Sequence, residues 1–204
     1  MIEKFLKARH WQLFLLLVGL PLVFYLIIMG PVVFNLDAEK YPEPAIMTDY
    51  YAIFPTLMII ISSLLFCWIW SIAIGLQKKI PQHLKMKVKK FKIFFFIPLI
   101  YMLLLALFIG ISFGLPYKAG NESDSVIFGG MVLIFVLLHL VSMFCIFYTI
   151  YFAAKTVKTV ELGREVNFGD FTVEFFLFWF YFIGIWILQP KINKMVVTEE
   201  NTLN

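Results

Sequence analysis

Four long runs without Asp, Glu, Lys or Arg divide this chain of 204 residues. A helix needs roughly 17–25 mostly apolar residues to cross about 30 Å of hydrocarbon, at a rise of about 1.5 Å per residue. The runs cover residues 11–34, 51–76, 93–115 and 126–154. Each run is long enough to span a bilayer, so the pattern predicts an all-α, polytopic transmembrane helical bundle.

A fifth apolar stretch, 172–189, is shorter, is rich in aromatic residues and carries Glu174 near its start. Its rise of about 27 Å as a helix is just enough to span the hydrocarbon. This stretch is either a fifth span or a re-entrant helix, and we favour a full crossing, which places Lys191 and Lys194 on the outer side. Pro190 predicts that the helix stops there under both alternatives.

Composition excludes an ordinary soluble domain. Apolar residues make up 62% of the chain, against about 45–50% in globular proteins, and charged residues make up 15%, against about 25%. There are too few polar residues to cover a water-exposed surface. No segment between the predicted spans is long enough for a soluble catalytic or ligand-binding domain. The chain is therefore predicted to be a single integral membrane domain over residues 1–204.

Lysine and arginine are distributed unevenly between the two sides of the predicted bundle. The residues before the first span, the loop 77–92 and the loop 155–171 hold 13 of the 17. Because basic loops stay on the cytoplasmic side, these three segments and the N-terminus are predicted to be cytoplasmic. A re-entrant fifth helix adds the tail to this group and raises the count to 15 of 17.

The interior of the four long spans contains no charged residue, and His139 is the histidine at mid-depth. Charged groups inside spans mark ion pathways and proton relays, so their absence weighs against a proton-coupled transporter. Ser142 shares the helix face of His139. Two interpretations stay open: a neutral imidazole bonded to a neighbouring helix, through Ser62, Ser63 or a backbone carbonyl, or a polar pathway.

Other polar and sulfur side chains are interpreted as structural. Glu174, close to Asp170 at the start of the fifth helix, is expected at the membrane interface, where the helix dipole favours a carboxylate. Cys67 and Cys145 lie inside apolar runs and are expected to be packing residues. No metal site and no cofactor are predicted.

Enzymatic chemistry is not predicted either. The segment 110–114 matches G-x-S-x-G, but Ser112 and His139 differ in depth by about 15 Å, too far for a nucleophile and its base. No catalytic residue is therefore assigned. Small residues four positions apart predict close helix packing instead. These pairs are Gly110 with Gly114 and, more weakly, Ser71 with Gly75.

The loop 77–92 holds seven lysines and no acidic residue. The lysines are Lys78, Lys79, Lys85, Lys87, Lys89, Lys90 and Lys92. Beside a bilayer this loop is predicted to contact anionic lipid headgroups, at about 1 kcal/mol per lysine, and an acidic soluble partner is the alternative. Lysine neutralises phosphates but lacks the bidentate geometry of arginine, so no sequence-specific nucleic-acid binding is predicted.

Two segments, 142–161 and 174–193, resemble the closing signature of a broad, largely uncharacterised group of small bacterial multi-span membrane proteins. In size and layout the chain also resembles membrane accessory proteins encoded beside RNA-targeting CRISPR nucleases, and four-span subunits of other anti-phage systems. These resemblances carry no site residue over to this chain. They imply a non-catalytic role in which the soluble partner is a nuclease or ribonucleoprotein.

These observations together predict a non-catalytic accessory or effector subunit of a bacterial inner membrane, with a cytoplasmic N-terminus. We expect it to be a homo-oligomer that docks a soluble partner on its lysine-rich cytoplasmic face, with membrane perturbation or pore formation as the output. The alternative is a small channel or transporter acting alone, with His139 in its pathway. Partner, substrate and oligomer number do not follow from the sequence.

Overall fold

The structure, a computed structural model, describes residues 2–34, 44–114 and 122–200. All described elements are helices. They are α1 (Ile2–Lys7), α2 (His10–Phe14), a π-helical turn (Leu15–Gly19), α3 (Leu20–Phe34), α4 (Pro44–Gly75), a 3-10 turn (Leu76–Lys79), α5 (Val88–Gly114), α6 (Glu122–Leu162), α7 (Phe168–Trp179) and α8 (Tyr181–Glu200).

Four helical runs are long and apolar enough to cross a membrane. They cover His10–Ile27, Leu57–Lys79, Val88–Ile109 and Gly129–Leu162. Each coincides with one of the four long runs that lack charged residues. The predicted all-α fold with four helices of spanning length is therefore confirmed.

The fifth apolar stretch is not one helix. α7 ends at Trp179, Phe180 has non-helical dihedral angles (φ −95°, ψ 58°), and α8 begins at the next residue. Glu174 and Lys191 are 17 residues apart but form an ion pair of 2.7 Å, whereas a continuous helix separates such residues by about 25 Å. α8 therefore folds back along α7. The predicted full crossing is wrong, and α7 and α8 form a hairpin that returns to the end of the bundle where it starts.

The turn of this hairpin is tight because Gly184 lies against the backbone of Leu177. A Cβ atom at Gly184 would collide with the Leu177 carbonyl oxygen. The backbone N–H of Gly184 donates to the carbonyl of Phe180 at 2.9 Å, which starts α8 directly after the non-helical residue. Only glycine permits this approach without a shift of the backbone.

α8 does not stop at Pro190, as the sequence predicted, but runs through it to Glu200. Proline removes one intrahelical hydrogen bond. The turn around it is held from outside, because the neighbouring Gln189 and Ile192 are fully buried. Tertiary packing thus overrides the local signal for a helix end.

The apolar core occupies one half of the bundle. Trp68 is fully buried and packs on Phe178, with ring centroids 5.4 Å apart, and Phe91 stacks on Phe152 at 4.6 Å. In the other half, residues 131–141 of α6 are largely exposed and apolar. An exposed apolar surface of this length is typical of a helix that is solvated by lipid.

Candidate functional site: the basic end of the bundle

The core half of the bundle ends in a surface built from four chain segments. Lys79 Nζ donates to the carbonyl of Met195 at 2.7 Å, which joins the end of α4 to the end of α8. Lys191 and Lys158 contact the same carboxylates, which joins α8 to the end of α6. We call this surface the basic end, and its segments are 2–9, 76–92, 155–170 and 189–196. It holds 15 of the 17 lysines and arginines of the chain.

Gln189 is the buried polar centre of the basic end. Its side chain is fully buried, and its Oε1 accepts a hydrogen bond from Trp68 Nε1 at 3.0 Å. Its Nε2 donates to the carbonyls of Phe5 and Ala8 at 2.9 and 3.0 Å. The last carbonyls of a helix have no intrahelical donor. Gln189 supplies that donor to α1 and so fixes the N-terminal helix against α4 and α8.

Four charged side chains form a closed ion-pair ring between α6, α7 and α8. Lys158 Nζ lies 2.9 Å from Glu161 Oε2 and 3.2 Å from Glu174 Oε1. Lys191 Nζ lies 2.6 Å and 2.7 Å from the same two atoms. Each cation therefore bridges both carboxylates, and the ring carries no net charge.

Glu174 was expected at the membrane interface, but it is the most buried member of the ring, with 4% of its surface exposed. Its Oε2 has no hydrogen-bond partner within the described part of the chain. A buried carboxylate without cations beside it is strongly unfavourable. The two lysines, rather than a helix dipole or solvent, stabilise this charge.

Asp170, not Glu174, holds the start of α7. Its carboxylate accepts hydrogen bonds from the guanidinium of Arg164 at 3.1 and 3.3 Å and from the backbone N–H of Asn167 at 2.9 Å. These hydrogen bonds hold the pKa of the Asp170 carboxyl below its ordinary value. A carboxylate in the first turn of a helix also meets the positive end of the helix dipole.

The predicted lysine loop forms the outer surface of the basic end. Six of its seven lysines are exposed, and Lys79, bonded to Met195, is half-buried. Lys90 lies over the rings of Phe94 and Tyr148, at 5.5 and 5.2 Å from their centroids, a cation–π geometry. The other exposed lysines are Lys78, Lys85, Lys87, Lys89 and Lys92.

At mid-span, His139 has a partner on a neighbouring helix. Its Nδ1 lies 3.1 Å from the hydroxyl of Tyr101 in α5. This contact fits the interpretation as an interhelix hydrogen bond, but the partner is Tyr101, whereas Ser62 and Ser63 on α4 had been suggested. Ser142, one turn further along α6, is buried.

Buried hydroxyl groups at other depths bond within their own helices. Ser71, Thr149 and Thr156 each donate to the carbonyl four residues earlier, at 2.7, 2.9 and 2.8 Å. This back-bonding is common for Ser and Thr in helices. The protons of these three hydroxyl groups are therefore engaged within their own helices.

The structure describes the packing of only one of the two small-residue pairs, Ser71 with Gly75. At Gly75 a Cβ atom would lie 2.6 Å from Leu6 and 2.8 Å from Ile2, so this glycine admits α1 against α4. Ser71, one turn earlier, is fully buried. The packing of Gly110 and Gly114 at the end of α5 lies outside the side chains that the structure describes.

The described cysteines are packing residues by position. Cys145 is buried, and Cys67 is half-buried. Within the described ranges, no three His, Cys, Asp or Glu side chains lie together in a way that could hold a metal ion.

Sequence reasoning missed Gln189 and the ion-pair ring. The signal for Gln189 was present, because it is a lone amide at the end of an aromatic-rich run, but it was attributed to a helix end beside Pro190. The ring has no sequence signal, since Glu174 and Lys191 are brought together only by the turn at Phe180.

Comparison of the chain with protein-family models, curated proteins and solved structures gave no match.

Proposed function

We propose that this protein is a non-catalytic membrane subunit that docks a soluble, acidic partner on the exposed lysines of its basic end. The proposal rests on one observation: the lysine loop is exposed on a frame in which three acids, Glu161, Glu174 and Asp170, are already paired with other residues. Glu161 and Glu174 are engaged by Lys158 and Lys191, and Asp170 is engaged by Arg164. These acids therefore leave the charge of the loop available to an outside anion.

The frame supports docking because it fixes the loop at both ends. The loop begins at the 3-10 turn, where Lys79 bonds to Met195, and it ends at α5, where Lys90 rests on Phe94 and Tyr148. A fixed, positively charged surface attracts an acidic protein at long range and orients it. By resemblance of layout, the partner is a soluble nuclease or ribonucleoprotein, the membrane is a bacterial inner membrane with the basic end cytoplasmic, and membrane perturbation by an oligomer is the output.

The test is affinity purification of the tagged full-length chain in mild detergent from its host, followed by direct binding of each captured protein to the chain in nanodiscs. The loop variant carries Lys78→Gln, Lys87→Gln, Lys89→Gln and Lys92→Gln. Lys79 and Lys90 stay because they hold the frame. The matched control carries Lys40→Gln and Lys118→Gln, which remove charge from the two segments predicted on the opposite side.

We expect an acidic protein that binds the wild type and the control equally and binds the loop variant at least tenfold more weakly. Its affinity should fall as the salt concentration rises, because exposed charges are screened. If the chain captures only itself, or if the partner binds the loop variant as well as the wild type, docking on the lysine loop is wrong. Loss of binding to anionic vesicles alone would assign the loop to lipid.

A stand-alone channel or transporter is the second candidate, and the contact between Tyr101 and His139 is the observation in its favour. This contact is a polar bond between two helices of spanning length. A liposome flux assay that compares the wild type with His139→Leu tests it. A flux that His139→Leu abolishes, while assembly is intact, would favour transport over docking.

A further inference from the structure

The hairpin of α7 and α8 extends along only part of the bundle. At its tip, Trp179 stacks on Phe147 of α6, with ring centroids 4.4 Å apart and the ring planes at 9°. Phe147 lies 11 residues before Lys158, the lysine of the ion-pair ring on the same helix. At a rise of 1.5 Å per residue, the tip is therefore about 16 Å from the ring. This distance is close to half the thickness of a hydrocarbon core of about 30 Å.

The ion-pair ring lies at the same end of the bundle as the exposed lysines of the loop. Exposed charged side chains are costly inside hydrocarbon, so this end lies at a membrane surface. The hydrocarbon then begins beside the ring, and the tip of the hairpin lies near the middle of the bilayer.

The hairpin has a surface that suits hydrocarbon. Between the ring and the tip, residues 175–190 include no charged residue. Backbone groups in lipid must be bonded within the protein. At the turn, the Phe180 N–H donates to Phe176, and the Phe180 carbonyl accepts from Ile183 and Gly184 at 3.0 and 2.9 Å. The exposed side chains of the hairpin are large and apolar, and they include Val173, Phe176, Phe180, Phe182, Ile183 and Ile187.

The two halves of the bundle hold different numbers of helices. Between the ring and the tip, the described structure has six helical segments, which are the N-terminal span from His10, α4, α5, α6, α7 and α8. Of these described segments, only the N-terminal span, α4, α5 and α6 continue beyond the tip, because the hairpin reverses at Phe180. The protein is therefore wider in the half next to the basic end.

We propose that the hairpin is a wedge in one leaflet, and that this wedge gives the protein an activity of its own, the bending of the membrane. Helices that insert into one leaflet expand that leaflet, and their binding depends on curvature. The bilayer bends so that the expanded leaflet, next to the basic end, becomes convex. This activity goes beyond the proposed docking function, since it requires neither a soluble partner nor an oligomer.

The depth of the hairpin is tested first. In the full chain without Cys67 and Cys145, a single cysteine at position 182 or at position 78 carries a spin label in phosphatidylcholine vesicles. We expect the label at position 182 to be accessible to oxygen and shielded from a water-soluble nickel complex, and the label at position 78 to show the reverse. If the nickel complex reaches position 182, the hairpin does not insert and the proposal is wrong.

Bending is tested by the orientation of the protein in small and in large phosphatidylcholine vesicles. The fraction of the protein with its basic end outside is measured with a membrane-impermeant maleimide that reacts with the cysteine at position 78. The outer leaflet of a vesicle is convex, and its curvature is greatest in small vesicles. We expect the ratio of outside to inside orientations to be at least twofold higher in the small vesicles.

Two variants separate the wedge from a steric effect of the parts outside the membrane. The wedge variant shortens four exposed side chains of the hairpin and leaves the buried Phe171 and Phe178 unchanged. Its substitutions are Phe176→Ala, Phe182→Ala, Ile183→Ala and Ile187→Ala. The matched control shortens four exposed side chains of α6 beyond the tip. Its substitutions are Leu133→Ala, Ile134→Ala, Leu137→Ala and Leu140→Ala.

The two variants should change the orientation in opposite directions. The wedge variant narrows the half next to the basic end, so we expect it to lose most of the dependence on vesicle size. The control narrows the other half, so its dependence should equal or exceed that of the wild type. An orientation of the wild type that does not depend on vesicle size would overturn the proposal, and so would an equal loss in both variants.

The docking variant keeps every residue of the hairpin. It should therefore retain the dependence of orientation on vesicle size whether or not it binds a protein partner. Failure of the wedge is thus distinguishable from failure of docking on the lysine loop.

Discussion

At the scale of single residues, the basic end depends on one amide that three helices share. Gln189 on α8 bonds to Trp68 on α4 and to the last carbonyls of α1. A helix as short as α1 is not stable alone in water, because nucleation costs more than a few hydrogen bonds return. The amide of Gln189 therefore stabilises α1 by tertiary contacts that its own sequence does not provide.

Substitution of Gln189 should loosen α1. Gln189→Leu leaves the Trp68 N–H and the Phe5 carbonyl without the amide that pairs them, whereas the Ala8 carbonyl keeps its hydrogen bond from Asn193 Nδ2 at 3.1 Å. We expect a loss of about 2–3 kcal/mol in the free energy of unfolding. Gln77→Leu is the comparison variant: its half-buried amide donates to the Ala73 carbonyl at 2.6 Å and makes only one long contact to another helix, with Thr156 Oγ1 at 3.5 Å, so it should cost less, about 1 kcal/mol. Denaturation in mixed detergent micelles measures both; equal losses would contradict the role of Gln189.

The hydrogen bonds to Asp170 make the start of α7 sensitive to acid. Because Arg164 and Asn167 lower the pKa of Asp170, its charged form stabilises the folded state at pH values above the ordinary aspartate pKa. That contribution is lost as the pH falls below about 4 and through the lowered pKa. The difference in Tm between the wild type and Asp170→Asn should therefore shrink between pH 7 and pH 3. A difference that stays constant would indicate a steric effect instead.

At the scale of elements, the four spans were predictable and the hairpin was not. Long runs without charge admit few alternatives to membrane helices: 126–154 falls inside α6, and 51–76 falls inside α4 except for its last residue. The aromatic run of the fifth stretch contains no proline or glycine at Phe180, where the chain turns. Local propensity did not indicate a turn at this position, because the turn is fixed by tertiary contacts such as that of Gly184 with the backbone of Leu177.

The candidate site, too, has one feature that could be predicted from the sequence and one that could not. The exposure of the lysine loop could be predicted, since seven lysines without an acid are too costly to bury. The pairing of Glu174 could not be predicted, because Lys158 and Lys191 are neighbours of Glu174 only after α8 folds back. Contacts that depend on a reversal of the chain direction are absent from any local pattern.

The close approach at Gly184 makes a direct test of the hairpin. Gly184→Ala places a methyl group against the carbonyl of Leu177, and we expect a loss of about 2–3 kcal/mol, typical of overpacking against backbone. Gly169→Ala is the matched control, because a Cβ atom there meets nothing within 4 Å and alanine favours the helix. Thermal unfolding in detergent compares the two. If both variants unfold like the wild type, the turn is not as tight as described.

At the scale of the whole molecule, packing and charge are concentrated at the same end. The core around Trp68 and Phe91 underlies the basic end, whereas the far half of α6 exposes apolar residues such as Leu133 and Leu137. Lipid solvates such an apolar surface, so the far half of the bundle needs less packing between its own helices. Contacts with lipid thus take the place of core contacts in the far half. In the other half, the ion pairs and Gln189 add polar contacts to the apolar core.

This asymmetry predicts the topology. In a chain without Cys67 and Cys145, single cysteines at positions 78 and 203 should react with a membrane-impermeant maleimide from one side, and a cysteine at position 118 should react from the other. The positive-inside rule places the first pair in the cytoplasm. Reaction of positions 118 and 203 from the same side would mean that the fifth stretch crosses after all.

The closed ion-pair ring has a consequence for how the protein is made. Lys158 and Glu161 arrive on α6, but their partners on α7 and α8 are synthesised later, so the ring closes only after the last long span has been inserted. Because the hairpin returns to its starting side, Lys191 need not be translocated across the hydrocarbon. Insertion of the four spans by the cell's machinery and completion of the fold by the hairpin are therefore separable events, and the second is the step that locks α1 and α8 in place.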